Sequence, residues 1–192
     1  MKRLISISAA VVLFGTTIFA QQNYSITSTS VGNVRLGMTI ATAWRTMRGF
    51  TFRRTSDGDG VALVEVRRGG KSIMTLYADE RNPKARINEH ARIEHVRVFD
   101  RSYRTANGIR TEMLVGNAET KLGGIEEVFM SEIESREYVV FRKKTKGLMY
   151  RIDVPMSGNF PTAGVYPEGK RITNRYAATA FISAIEVSKY FD

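Results

Sequence analysis

Two short stretches, 57–60 and 89–95, combine residue types that could do chemistry, but their spacing argues against both. The segment Asp57-Gly58-Asp59-Gly60 is like the start of a calcium-binding loop, yet Val61 stands where the third acidic ligand belongs and Arg68 stands at position twelve. The pattern therefore predicts a hairpin turn. His90 and His95 each follow a glutamate, but a spacing of five puts them on different helix faces and on opposite sides of a strand. We expect surface histidines, not a metal site or a general base.

Other catalytic signatures are missing from the sequence. The chain has no cysteine, which excludes disulfides, a thiolate metal site and a cysteine nucleophile. It has no Gly-x-Ser-x-Gly elbow, and Gly69-Gly70-Lys71-Ser72 lacks the earlier glycine of a phosphate-binding loop. Carboxylate pairs exist, but nothing selects one as the acid and base of a hydrolase. The sequence therefore predicts no catalytic residue, no metal and no cofactor.

Arginine and tyrosine side chains are better candidates for a binding surface, because they offer large contact areas with few rotatable bonds. Arg53-Arg54 and Arg67-Arg68 lie on strands predicted to be neighbours, so they could form one basic patch. The candidate binding residues are Arg53, Arg54, Arg67, Arg68, Tyr77, Tyr103, Tyr138, Tyr150, Arg142, Lys143 and Lys144. Two alternatives stay open: the tyrosines could be half-buried at a sheet edge, and the basic run at 142–146 could be a solvated hairpin tip.

The composition is that of a globular protein with a basic charge balance. The 192 residues are 43% hydrophobic and include 29 Lys+Arg against 19 Asp+Glu, a net charge of +10. This excludes a disordered or fibrous protein and leaves material for one domain of fair size or two small ones.

Residues 1–20 are predicted to be a secretory signal peptide that is removed. Lys2 and Arg3 precede an uncharged apolar stretch that ends at Ala20. This stretch is short for a retained membrane span, so we expect no integral membrane protein after cleavage. Export without cysteine predicts a bacterial periplasmic or secreted protein. There, a basic chain is expected to meet a protein partner, an anionic polymer or lipid headgroups, and no nucleic acid.

The most informative pattern is an internal similarity. The stretch 34–49 matches 109–124 at an offset of 75 residues, and 93–98 matches 182–187 at an offset of 89. We therefore expect two tandem repeats, 32–106 and 107–192, after an N-terminal linker at 21–31. The extra residues of the second repeat are expected in a surface loop at 155–169, which holds three of the four prolines.

Each repeat is predicted to begin with a short helix and to continue as an antiparallel meander. Apolar residues at helical spacing predict helices between Thr39 and Gly49 and over 115–122, with Trp44 on the core stripe of the first. Period-two patterns predict strands at 51–55, 61–68, 72–78, 92–99, 127–132, 136–143, 148–154 and 181–189. This order favours an α+β fold with the helices packed on one face of antiparallel sheet.

The opening Val34-x-x-Gly37-Met38-Thr39, followed by a short helix and Gly49, resembles a known exported superfamily. It is similar to the Gly-Met-Thr opening of the small outer-membrane-assembly lipoprotein domain and of the tandem-repeat β-lactamase inhibitor protein. The resemblance implies a helix-and-meander architecture and binding without catalysis. The chain departs from it at Glu112 and Leu114 in the second repeat, and in lacking both a lipobox cysteine and disulfides.

The leading hypothesis is an exported, non-enzymatic binding protein that docks an envelope or extracellular macromolecule through a sheet surface. The resemblance suggests the specific form of a hydrolase inhibitor. One alternative is an envelope assembly or scaffold component bound to an outer-membrane protein or to anionic lipid. The other is a hydrolase with an unrecognised carboxylate pair.

Overall fold

The structure is a computed structural model that describes residues 23–132, 135–155 and 162–191. The predicted signal peptide at 1–20 and the middle of the predicted loop at 155–169 lie outside the described residues. The described chain forms a mostly β, α+β fold with two helices and two sheets. The expected α+β class is therefore confirmed.

Thirteen strands and two helices are found in the described residues. In chain order they are β1 (Ser25–Thr27), β2 (Ser30–Val31), β3 (Val34–Arg35), α1 (Ile40–Thr46), β4 (Thr51–Ser56), β5 (Ala62–Arg68), β6 (Lys71–Tyr77), β7 (His95–Val98), β8 (Arg104–Thr105), α2 (Val115–Leu122), β9 (Ile125–Met130), β10 (Glu137–Phe141), β11 (Leu148–Asp153), β12 (Ile172–Thr173) and β13 (Phe181–Ser188).

Nine strands form one large sheet in the order β12-β9-β10-β11-β13-β7-β6-β5-β4. All of its strand pairs are antiparallel. Two meanders, β4 to β7 and β9 to β13, join through the pairing of β7 with β13. At this junction Arg97 lies directly opposite Glu186. The sheet is therefore continuous from β12 at one edge to β4 at the other.

A second, smaller sheet has the order β3-β2-β1-β8. It includes one parallel pair, between β1 and β8. Residues 25–31 belong to it, although the sequence predicts a linker at 21–31. Ile26 and Val31 are buried in the core, which explains why this segment is ordered into strands.

One face of the large sheet carries the hydrophobic core. Cross-strand register aligns apolar side chains on this core face, for example Val66 with Met74, and Val98 with Ile185. The opposite face, called here the second face, carries Arg53, Glu65, Thr75, Arg97 and Glu186 in a row of directly opposed residues. Side chains alternate between the faces along each strand, so charge and core are separated within the same sheet.

The two helices begin at the predicted residues, and their buried side chains belong to the core cluster. Thr39 caps α1 by accepting a hydrogen bond from the N–H of Thr42. The expectation for Trp44 is wrong: its side chain is 44% exposed and stacks on Phe52 of β4 instead of entering the core. This stack joins α1 to β4, the last strand of the large sheet.

Candidate functional site

The outer edge of β4 is the best candidate for a binding surface. β4 ends the strand order, and among the described residues no strand pairs with its outer side. An edge strand leaves backbone N–H and C=O groups free to pair with an added strand. Trp44 flanks this edge, with its ring 5.3 Å from that of Phe52 and an interplanar angle of 7°. A rigid, half-exposed tryptophan at an open edge is a typical anchor for a partner.

The chain segment that forms this edge carries side-chain charge of one sign only. Residues 23–56 hold five arginines and no Asp or Glu. Arg45, Arg48 and Arg53 are exposed, and they lie on the last turn of α1, just beyond it, and on β4. Arg53 is on the second face, whereas Phe52 and Trp44 are on the core face. The edge is therefore bordered by a guanidinium on one side and an indole on the other.

The other three predicted arginines of this region have intramolecular partners. Arg54 donates to Glu80 and to the carbonyl oxygens of Ala85 and Arg86, which lie in the loop after β6. Arg67 donates to Glu65 and to the carbonyl oxygen of a turn glycine. Arg68 lies over the Phe50 ring at 5.3 Å. Of the four predicted arginines, Arg53 is thus the one best placed to meet a partner.

The predicted tyrosines lie inside the protein, not on an exposed surface. Tyr103, Tyr138 and Tyr150 are buried, so the expectation that they form an exposed binding surface is wrong. Burial also raises the pKa of Tyr150 to about 12. Tyr77 is half-buried and stacks on His95 with ring centroids 4.6 Å apart. The period-two pattern identifies strand positions correctly but does not tell which face of this sheet is covered.

The predicted basic run at Arg142, Lys143 and Lys144 follows β10. The backbone N–H groups of Arg142 and Lys143 bond to the carbonyl oxygens of Gly124 and Leu122, which fixes the run beside the end of α2. The exposed ammonium group of Lys144 pairs with Glu126. These contacts fit the solvated-tip alternative better than a dedicated anion site.

A buried ion cluster at the junction of the two meanders is the main feature that the sequence analysis missed. Glu186 is 2% exposed, and its Oε1 accepts from Arg97 Nε at 2.6 Å and from the Tyr138 hydroxyl at 3.2 Å. Its Oε2 lies 3.0 Å from His95 Nε2. The sequence predicts a surface histidine at His95. This prediction is wrong, because His95 is part of the buried cluster.

The electrostatics of the cluster favour an ionised Glu186. Burial disfavours the charged carboxylate, but hydrogen bonding and electrostatic attraction from His95 and Arg97 outweigh it, so the pKa of Glu186 lies below its usual value. A signal was present in the sequence: Arg97 and Glu186 are each flanked by two β-branched apolar residues, at matching positions of the two meanders. A charge in such a run needs a buried partner.

A pocket of about 470 Å³ opens next to this cluster. Tyr77 and His95 line it, together with the exposed Tyr190. Two carboxylates that line the pocket already form ion pairs, because Glu80 pairs with Arg54 and Glu94 pairs with Lys189. Within the described residues, no group of three or more His, Asp or Glu side chains is arranged to hold a metal ion.

The comparisons with known proteins give one informative result. No protein-family model matches the sequence, and no curated protein matches it. Among solved structures, the crystal structure of the uncharacterized protein YfeY from Escherichia coli aligns with a TM-score of 0.55 at 13% sequence identity. The alignment covers 87% of this chain and 99% of that chain. The two proteins share a fold. At this identity the likeness extends to nothing further.

The part of the chain that the structure describes contains no helix long and apolar enough to cross a membrane.

Proposed function

We propose that this chain is an exported binding protein without catalytic activity, and that it docks an acidic, extended segment of a partner protein along β4. One observation carries the proposal: an unpaired sheet edge bordered by a stacked Trp44 and by arginines, in a stretch of 34 residues that contains no carboxylate side chain. Addition of a strand would satisfy the free backbone groups of the edge.

The chemistry of the edge favours an acidic partner over a second copy of the same edge. Two β4 edges brought together would oppose Arg53 and Arg54 of one copy to those of the other, and like charges across paired strands are destabilising. A partner strand with alternating side chains would present every second residue to Trp44 and the intervening residues to Arg53. Carboxylates at the latter positions would complement the guanidinium.

We further propose that the molecule consists of two tandem units, each a helix laid on the same face of the sheet. Equivalent backbone hydrogen bonds support this. The N–H of Gly37 donates to Ile93 and that of Glu112 donates to Ile182, at 2.7 and 2.8 Å. The N–H of Ile40 donates to Ala91 and that of Val115 donates to Ala180, at 3.0 and 2.9 Å. These pairs keep the offsets of 75 and 89 residues found in the sequence.

Positive backbone φ angles repeat at the same offset. Gly37 has φ +82°, and Glu112, at the equivalent position, has φ +61°. A non-glycine residue in this region is strained, so the turn geometry is kept even where the glycine is not. The match supports a common origin of the two turns.

The proposed docking can be tested with a synthetic peptide of alternating glutamate and valine, because no natural partner is needed. We expect the peptide to bind and to slow the exchange of backbone amide hydrogens in β4. Trp44→Ala and Arg53→Glu should each weaken binding by at least about tenfold, which is the effect of losing one interface anchor of 1.4 kcal/mol or more. Arg101→Glu is the matched control, since Arg101 is exposed and lies far along the chain.

Binding that is unchanged in both β4 variants, or equal loss in Arg101→Glu, would contradict docking along β4. The proposal of export has its own measurement. The full-length chain, expressed in a bacterium, should be recovered from the cell envelope or medium with Gln21 as its first residue.

A further inference from the structure

Arg151 on the second face is a half-buried cation without a counter-ion. It lies on β11, directly opposite Tyr138 of β10 and Ala184 of β13. Among the described residues its guanidinium makes no hydrogen bond and no ion pair. Burying a charge without a partner is unfavourable, so a folded protein that keeps such a group needs a reason for it.

The charges around Arg151 make this arrangement less favourable still. Burial lowers the pKa of Arg151, and the neighbouring positive charges of Arg136 and Arg97 lower it further. The nearby carboxylate of Glu186 is already engaged by Arg97, His95 and Tyr138. Arg136 forms no ion pair with a described residue either. Arg136 is exposed and solvated, and it places a second positive charge near the half-buried Arg151.

Apolar and aromatic side chains lie beside these arginines on the same face. Phe129 stacks on Tyr138 with centroids 5.5 Å apart and an interplanar angle of 21°. Ile172 of β12 lies directly opposite Phe129 and is 59% exposed. The row Ile172, Phe129, Tyr138, Arg151 thus runs across four neighbouring strands, from an exposed apolar end to a cationic end.

We propose that this row is a binding site for a small phosphate monoester, with the phosphate between Arg151 and Arg136 and an aromatic or apolar body against Phe129 and Ile172. A phosphate dianion neutralises both guanidiniums, and the planar fork of arginine matches its oxygens. The site is separate from β4, because four strands (β13, β7, β6 and β5) lie between β11 and β4 in the sheet. The proposal therefore does not depend on peptide docking.

Phenyl phosphate is the probe for this site, measured by calorimetric titration at low salt. We expect it to bind at least about tenfold more tightly than inorganic phosphate, because only phenyl phosphate has a ring to place against Phe129. Arg151→Met should weaken phenyl phosphate binding by at least about tenfold. The same variant should unfold at an equal or higher temperature in the absence of ligand, since it removes an uncompensated charge.

Arg101→Met is the matched control: it changes an exposed arginine that belongs to neither proposed surface and should leave phenyl phosphate binding unchanged. Wild-type affinity in Arg151→Met would overturn the proposal. A clear loss of stability in that variant would also overturn it, because it would assign Arg151 a structural role.

Vesicles distinguish two sources of the phosphate group. If vesicles with phosphatidic acid, but not neutral vesicles, bind the wild type and are displaced by phenyl phosphate, the natural ligand is a lipid headgroup. If phenyl phosphate binds and the vesicles do not, the ligand is a free organic phosphate. If phenyl phosphate does not bind to the wild type, the proposed phosphate site is wrong for either source of the ligand.

Discussion

Glu186 is the residue on which the interior polar contacts of the large sheet converge. It is nearly inaccessible and accepts hydrogen bonds from Arg97 and Tyr138, so removing its negative charge takes away the carboxylate that the buried guanidinium of Arg97 bonds. We expect Glu186→Gln to lower the free energy of unfolding by about 3–5 kcal/mol, the usual effect of breaking a buried ion pair from one side. Urea unfolding at pH 7 measures it.

The comparison for this variant is Glu112→Gln, which removes an exposed ion pair with Arg101. Exposed pairs contribute little, so the change should stay within about 1 kcal/mol. Equal effects of the two substitutions would show that the cluster around Glu186 does not stabilise the fold.

The lowered pKa of Glu186 gives a dependence of stability on pH. The carboxylate holds its proton less tightly in the folded protein than in the unfolded chain, where its pKa is near the ordinary value of 4.5. Its contribution is therefore complete above that pH and is lost as the pH falls through the lower folded pKa. The stability difference between wild type and Glu186→Gln should be largest at pH 7 and shrink towards pH 3. A constant difference would contradict this assignment.

At the scale of single elements, the two helices differ at their first residue. Thr39 caps α1 with its side chain, whereas Leu114 stands at the same place in α2 without a side-chain bond and is 45% exposed. We expect Thr39→Ala to lower and Leu114→Thr to raise the free energy of unfolding, each by about 1 kcal/mol. Thermal unfolding of the two variants is the measurement. Changes of the same sign in both would contradict the capping argument.

The sequence predicts elements whose periodicity is long enough to read. Both helices and the eight longer strands lie within a few residues of their predicted positions, because alternation or a helical stripe runs through each of them. The other strands, β1, β2, β3, β8 and β12, are two or three residues long. They carry no readable period and depend on contacts with distant segments.

The candidate site is less predictable than the elements. Arg53 could be selected from its type and position, but the exposure of Trp44 could not, because a helical stripe does not show where the sheet beneath it ends. The contacts of Glu186 join segments 48 to 91 residues apart in sequence, which no local pattern encodes. The single charged residue in each apolar run, Arg97 or Glu186, indicates that a buried partner exists but does not identify that partner.

At the scale of the whole molecule, the pairing of β7 with β13 joins the two meanders into one sheet and one core cluster. We expect unfolding in urea to be a single cooperative transition. Trp44, the sole tryptophan, reports on the first half through its fluorescence, and far-ultraviolet circular dichroism reports on all of the sheet. The midpoints should coincide. Two separate midpoints would show that the halves unfold independently.

The opposition of Arg97 and Glu186 at this junction also decides which strands can meet while chains fold. If two molecules aligned their own β7 strands in the same register, arginine would face arginine, and two β13 strands would set glutamate against glutamate. Each mispairing would confine like charges in a nearly dry interior. The central pair thus favours pairing of β7 with β13 and disfavours pairing of either strand with its own copy. This protects incompletely folded chains from edge-to-edge aggregation.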